Sequence, residues 1–271
     1  MNQKWYSGKY DRAFKEVMLK EDNLSLLKSI IEHILKIKIE EISIVNVEKL
    51  RGNVHIKGQR LDLNIKTKYD RINVEINSTK KDYLHTRNFS YIADTYSHDV
   101  LVGGNYDESI RFIQINLSYE LNKNIDPISK YKIVNEKGKE YVSNFYIYEV
   151  NMEYSLNLWY NNNEKEINKE YLLIMLGLEK EELTKLANKN KVVSKYMEDL
   201  NKVNEEPEFR EYMSYEEDQR KILNTEKEIS RKEGIQEGSI KKEKEVISKL
   251  LSSGMSKEEI SKILEIPIEE I

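Results

Sequence analysis

The stretch RLDLNIKTKYDRINVEIN, Arg60–Asn77, decides the fold. Apolar and polar residues alternate twice in it, on either side of a turn-like break, and a period of two marks a pair of strands. With Tyr69 and Asp70 taken as a two-residue turn, Asp62 faces Asn77, Asn64 faces Glu75 and Lys66 faces Asn73. These six residues share one face of the hairpin. The other face carries Leu61, Leu63, Ile65, Ile72, Val74 and Ile76, and must be buried. Asp62 and Glu75 then sit diagonally across the two strands, with Cβ atoms roughly 7 Å apart. Carboxylates at that separation can converge on one divalent cation, and a hard ion such as Mg²⁺ takes carboxylate oxygens while keeping several waters. Such an ion lowers the pKa of a bound water and stabilises charge on a phosphate. Asn77, two residues beyond Glu75, would stand beside it and orient the water or the phosphate. An ordinary solvated sheet face also carries an Asp and a Glu, so the spacing by itself leaves both readings open.

Working outward, Asp11–Leu35 shows apolar residues at helical spacing, from Phe14 through Ile34. Ile42–Val47 alternates and is β-branched, which predicts a strand. The hairpin strands are predicted at Arg60–Thr67 and Ile72–Asn77, a helix at Asp82–Tyr96, and a break at Gly103-Gly104. Strands follow at Ile110–Leu117, a nearly continuous apolar run, and at Phe145–Val150. Beyond about Leu156 the pattern is helical and acidic. A strand–helix–strand crossover inside a mixed sheet is an α/β signature. Near the C-terminus, Ser230–Glu245 is charge-dense and predicts a solvated helix or hinge. Gly254 suits a helix end, and Ser256 with Glu259 forms a capping-box pattern for a last short helix.

The chain has 271 residues, of which 39% are hydrophobic and 34% charged, with only 3 prolines; this composition suits a folded, largely helical protein. Cysteine is absent, which excludes disulfides and thiolate metal sites and fits a cytoplasmic location. No secretory signal is visible at the N-terminus, and no apolar run approaches the roughly 20 residues that span a bilayer. Residues 1–100 hold 18 basic and 14 acidic side chains, whereas residues 101–271 hold 26 and 34. The basic front permits contact with a polyanion without requiring it.

Several motifs, in order, resemble the PD-(D/E)XK nuclease family transposases, also known as recombination-promoting nucleases. The first helix, YDRAFKEVM, looks like that family's D-x-x-F-K opening. RLDLNI looks like its metal-Asp strand and INVEIN its Glu strand. Arg87, Asn88, Phe89, Ser90 and Tyr91 are similar to its R-x-x-x-Y helix. GGNYDESIRFIQINL looks like its glycine-tyrosine loop and following strand, and the tail from Gly234 resembles its glycine-spaced charged linker and short helical end. The resemblance implies a restriction-endonuclease-like mixed sheet flanked by helices, an α/β fold followed by a helical C-terminal region. It divides the chain into a nuclease-like core at 1–156, a helical extension at 157–229, and a charged linker with a helix–turn–helix-like tail at 230–271.

The resemblance also implies a metal-dependent DNA endonuclease of mobile-element, recombination or phage-defence context, using Mg²⁺ or Mn²⁺. Asp62 and Glu75 would be its metal ligands. Asn77 falls where the wider superfamily has Lys and this family usually has Gln; it keeps the amide but is one methylene shorter and uncharged. The rival expectation is therefore an impaired nuclease fold that binds nucleic acid or a protein. Lys66, Lys80 and Lys81 are candidates to supply the missing positive charge. Asp11 is a secondary site candidate, or simply a first-turn acid. Arg87 and Tyr91 share a helical face, where Arg87 would contact phosphate and Tyr91 line the cleft, or both would serve packing. His33, His55, His85 and His98 lack zinc-like spacing. Glu258, Glu259, Glu265, Glu269 and Glu270 argue against a tail helix in a DNA groove, so the tail is expected to mediate self-association or bind a partner.

Overall fold

Thr67 sets the hairpin. Its hydroxyl accepts from the backbone N–H of Tyr69 (3.1 Å) and Asp70 (2.8 Å) and donates to the Asp70 carboxylate (2.8 Å), while its N–H donates to the Asp70 carbonyl (3.0 Å). These bonds close the chain around Lys68-Tyr69, so the strands pair as Leu63↔Val74, Asn64↔Asn73, Ile65↔Ile72 and Lys66↔Arg71. The expected turn at Tyr69-Asp70 is thus displaced by one residue and the register by two. Asp70 is not a turn residue because its buried carboxylate is held by Thr67 and by Arg111 Nε at 2.6 Å. An even shift leaves every side chain on its predicted face, but Asn64 now opposes Asn73 rather than Glu75, and Lys66 opposes Arg71 rather than Asn73.

The computed structural model describes residues 4–45, 63–101, 109–122 and 125–271. Asp62, His55, Gly103 and Gly104 lie outside them, as does the side chain of His98. The chain forms two compact units, Met1–Arg210 and Glu211–Ile271. In the first, strands β1 (Ser43–Val45), β2 (Leu63–Lys66), β3 (Asp70–Asn77), β4 (Arg111–Ser118), β5 (Ile128–Tyr131) and β6 (Phe145–Asn151) make one sheet of order β1-β2-β3-β4-β6-β5. The pairs β3/β4 and β4/β6 are parallel and the others antiparallel, so the sheet is mixed, as expected. Strand β5 went unpredicted: ISKY is short and exposed at an edge, with too few apolar residues to signal.

Helices α1 (Asp11–Met18) and α2 (Leu24–Leu35) replace the single helix expected over Asp11–Leu35. Lys20 is extended, and the buried amide of Asn23 donates to the Val17 carbonyl at 3.0 Å, closing the end of α1. Helix α3 (Leu84–Leu101) crosses over between β3 and β4 and runs beyond the expected Tyr96. Helices α4 (Met152–Tyr160), α5 (Glu164–Gly177), α6 (Lys180–Ala187) and α7 (Lys191–Glu205) follow the sheet. Helix α8 (Pro207–Ser252) continues through Gly234 and Gly238 with both surrounded by open space. Residues 214–245 of it are almost wholly exposed, as a solvated helix requires. Gly254 has φ +91, and Ser256 and Glu259 form the expected capping box of α9 (Lys257–Leu264).

One face of the central strands is apolar: Ile72, Val74 and Ile76 of β3 align with Ile113, Ile115 and Leu117 of β4, all at most 5% exposed. Each such side chain contributes about 1.5–3 kcal/mol by leaving water. The opposite face is also covered. There α3 places Ile92 against Phe112 and Phe145, with Tyr96 and Ile147 beside them. That apolar cluster occupies the face toward the strands' N-terminal ends; the C-terminal ends on the same face are polar.

A candidate active site on the buried polar face

In a parallel sheet, residues at one level point to one face. Asn73 is level with Gln114, Glu75 with Asn116 and Asn77 with Ser118 across β3 and β4; Asn116 is level with Glu149 across β4 and β6. Period-two alternation therefore places Asn73, Glu75, Asn77, Gln114, Asn116, Ser118 and Glu149 on one face, each at most 9% exposed. Two carboxylates, Glu75 and Glu149, stand on either side of Asn116, roughly 10 Å apart at their Cα atoms by two strand spacings.

Burial obliges these groups to satisfy one another. Asn73 donates to Gln114 (2.8 Å) and Gln114 to Asn116 (2.8 Å). Asn88, on α3, donates to Asn116 at 2.9 Å and more weakly to Asn77 at 3.4 Å. Asn116 donates to one oxygen of Glu149 at 2.9 Å, and the Ser118 hydroxyl donates to the other. Asn77 donates to Ser118 Oγ at 3.0 Å. Arg87 spans the top, giving one N–H to Asn77 Oδ1 (3.1 Å) and another to Asn88 Oδ1 (3.2 Å), with its Nη2 4.0 Å from a Glu75 oxygen. Tyr91 stacks one helical turn on, its ring centroid 5.8 Å from the Arg87 guanidinium carbon.

At the C-terminal ends of these strands lies a cavity of about 190 Å³, lined by Asn77, Lys80, Lys81, His85, Asn88, Ser118 and Glu149 among others. Carboxyl ends of parallel strands are where open α/β sheets bind ligands. Tyr119 also lines it; burial, then the neighbouring Tyr196, pushes its phenol well above the usual range, so the hydroxyl stays protonated.

Among the predicted site residues, Glu75, Asn77, Arg87 and Tyr91 come together here, and Lys80 and Lys81 border the cavity. Lys66 does not join them. It is exposed at the turn end opposite Arg71, which precedes Glu75 by four residues, or about 13 Å of strand. Asp11 is half exposed and pairs with Lys15 Nζ at 3.0 Å across one turn of α1, the role of a first-turn acid. His33 is likewise engaged elsewhere, with Glu170 at 2.8 Å. Asp62 is outside the described residues, and among those described no cluster of three or more His, Cys, Asp or Glu is poised to hold a metal.

Sequence reasoning missed Gln114, Asn116, Ser118 and Glu149 as a set. Within the apolar run IQINLS the polar residues recur with period two, which is the signal that could have found the first three. Glu149 in FYIYEV carries no such signal; only its pairing level with Asn116 reveals it.

The sequence pattern of the PD-(D/E)XK nuclease family transposases matches residues 8–232. The chain belongs to that family. No curated protein and no solved structure matches it. Membership in the PD-(D/E)XK family agrees with the mixed six-stranded sheet and flanking helices, and it supports a nuclease-like function. PD-(D/E)XK nucleases generally use divalent metal ions. Among the described residues no helix is long and apolar enough to cross a membrane.

Proposed function

We propose that the protein is a Mg²⁺- or Mn²⁺-dependent DNA endonuclease of mobile-element or defence context that works in the cytoplasm. The observation that carries the reading is Glu75. In a family of nucleases, a carboxylate 5% exposed on the central strand, with an arginine 4.0 Å away and an amide two residues on, suits phosphodiester chemistry. The surrounding donors are oxygens and amides with no thiolate, which fits a hard cation. Asp62 and Glu75 would hold it; bound there, it would supply Lewis-acid activation of water and neutralise charge on the phosphodiester. The chain's own groups divide the remaining work. Arg87 holds the non-bridging phosphate oxygens as a planar donor. Asn77 orients a reactant through its carboxamide, and Lys80 and Lys81 draw the strand toward the cavity.

The test is plasmid nicking with and without Mg²⁺, on the wild type, Asp62→Ala and Glu75→Gln. Metal-dependent nicking lost in both variants is expected. One observation favours a second reading, an impaired nuclease fold that binds DNA or protein: the Asn77 amide is already engaged by Arg87, Asn88 and Ser118. Wild-type protein that binds DNA but leaves plasmid intact at any Mg²⁺ or Mn²⁺ concentration would establish that reading and refute the first.

We also propose that the C-terminal helices pair two copies of the chain. Tyr215, Ile222, Ile229, Ile240 and Leu251 of α8 are each at least 37% exposed. Their spacings of 7, 7, 11 and 11 residues return to one narrow stripe of an α-helix. Residues 211–218 carry Glu211, Glu216, Glu217 and Asp218 with no base, whereas Lys241, Lys242, Lys244 and Lys249 dominate residues 241–249. An antiparallel second copy sets opposite charges together.

A further inference from the structure

We infer that Glu149 is a positioning residue for Asn77: acting through Ser118, and with Arg87 at the other end, it determines which way the Asn77 carboxamide points. The inference rests on the nuclease reading for its kinetic consequence but not for its geometry. Arginine can only donate hydrogen bonds and a carboxylate can only accept them. Two chains of bonds run from one to the other. The first passes from Arg87 Nη2 to Asn77 Oδ1, from Asn77 Nδ2 to Ser118 Oγ, and from the Ser118 hydroxyl to Glu149 Oε1. The second passes from Arg87 Nε to Asn88 Oδ1, from Asn88 Nδ2 to Asn116 Oδ1, and from Asn116 Nδ2 to Glu149 Oε2. With a pure donor at one end and a pure acceptor at the other, each amide and hydroxyl between them is left with a single satisfied sense.

The sense matters because an amide presents an acceptor on one side and a donor on the other. Ser118 has one proton and Glu149 takes it, so Ser118 can only accept from Asn77. That turns Asn77 Nδ2 toward β4 and Oδ1 toward Arg87. A reactant bound beside Asn77 therefore meets the remaining N–H and the Arg87 guanidinium, both donors, as a phosphate or a water lone pair requires.

Replacing the Glu149 carboxylate with an amide breaks the match in either orientation. If the new amide turns its NH₂ to Ser118, the hydroxyl proton loses its acceptor; swung toward Asn77 it opposes the Asn77 NH₂, and an Asn77 flipped to accept it sets its NH₂ against Arg87. If it turns its NH₂ to Asn116, Asn116 must flip and meet the NH₂ of Asn88. Asn88 cannot follow, because Arg87 Nε holds its oxygen. Glu149 lies 74 residues from Glu75 in sequence and one strand beyond β4, so no local motif contains both.

The experiment compares Glu149→Gln and Ser118→Ala in the wild-type and Asn77→Ala backgrounds. Supporting results in nicking kinetics are a fall in kcat of about 10- to 100-fold for Glu149→Gln, the range for groups that orient site residues, with KM for DNA little changed. Introduced after Asn77→Ala, the same substitution should lower kcat no further. A full additional loss in that background would overturn the inference. The second readout needs no turnover: the Asn77 side-chain NH₂ in ¹H–¹⁵N spectra, assigned by its disappearance in Asn77→Ala. Both Glu149→Gln and Ser118→Ala should move it and speed its exchange with solvent. Ser118→Ala severs only one chain, so it reports even if Glu149→Gln fails to fold. An Asn77 signal unmoved in a folded variant would sink the proposal. If the wild type does not nick DNA at all, the nuclease reading fails, and the NH₂ signal alone decides this one.

Discussion

Asn116→Ala tests whether the polar face is held by its own bonds. Asn116 is 1% exposed and takes part in three side-chain hydrogen bonds. Truncation leaves the NH₂ groups of Asn88 and Gln114 and one oxygen of Glu149 without that partner. An orphaned buried group costs about 1–3 kcal/mol, and more when charged, so three left wholly unpaired would cost roughly 3–9 kcal/mol; Asn88 keeps Asn77 and Glu149 keeps Ser118, which places the figure toward the lower end. The adjoining cavity of about 190 Å³ reduces this figure. It borders Asn88 and Glu149, whose polar atoms can share a bridging water there. The expected loss is about 2–4 kcal/mol, which lowers Tm by roughly 5–15 °C for a unit of this size. Urea unfolding followed by circular dichroism measures it directly, provided the m-value is unchanged. Because Asn88 would already have lost its shorter bond, to Asn116, adding Asn88→Ala should cost less than it does alone. A loss under about 0.5 kcal/mol, or strict additivity of the two substitutions, would refute the claim that these amides form one coupled array.

Other consequences are equally open to measurement. Gly8→Ala would drive a methyl group into the fully buried Tyr196 hydroxyl and to 2.8 Å from the Leu176 carbonyl, so a loss of about 1–3 kcal/mol is expected in thermal unfolding; an unchanged Tm would contradict that packing. Glu32 is held below the usual carboxylate range, first by accepting the Ile39 N–H at 2.7 Å and also by Lys38 nearby. A lowered folded-state pKa stabilises above the unfolded value and is lost as pH falls through the folded one. The stability gap between wild type and Glu32→Gln should therefore be present at pH 7, shrink once pH falls past the unfolded glutamate value of about 4.3, and vanish only below the lowered folded-state pKa; a gap unchanged down to strongly acidic pH would show the carboxylate charge to be irrelevant. Ile229→Glu with Ile240→Glu places charge on the α8 stripe, and sedimentation should show a shift toward monomer; a wild type that is already monomeric at high concentration ends the pairing proposal.

The alternation in Arg60–Asn77 was enough to predict two strands and the burial of Leu63, Ile65, Ile72, Val74 and Ile76, because side-chain direction in a strand depends only on parity. Parity also survived the two-residue error in register. The error itself came from reading Asp70 as a turn residue by type, when its carboxylate is held by Thr67 next door and by Arg111 on another strand. The break between α1 and α2 was hidden for a similar reason: Asn23 bonds both Val17 and Asp199, and the second partner is on α7. The α9 capping box was legible because both of its bonds lie within four consecutive residues.

The sequence by itself determined the helical and strand periodicities, the family, and the facing of Glu75 and Asn77 to one side, since each follows from local order along the chain. The tertiary structure alone decided what that side meets. Strand pairing is a relation between residues far apart in sequence, and the level of β6 against β4 is what brings Glu149 to Asn116 and Ser118. Helix α3 then closes the face, and burial obliges Arg87, the three asparagines and Glu149 to bond to one another.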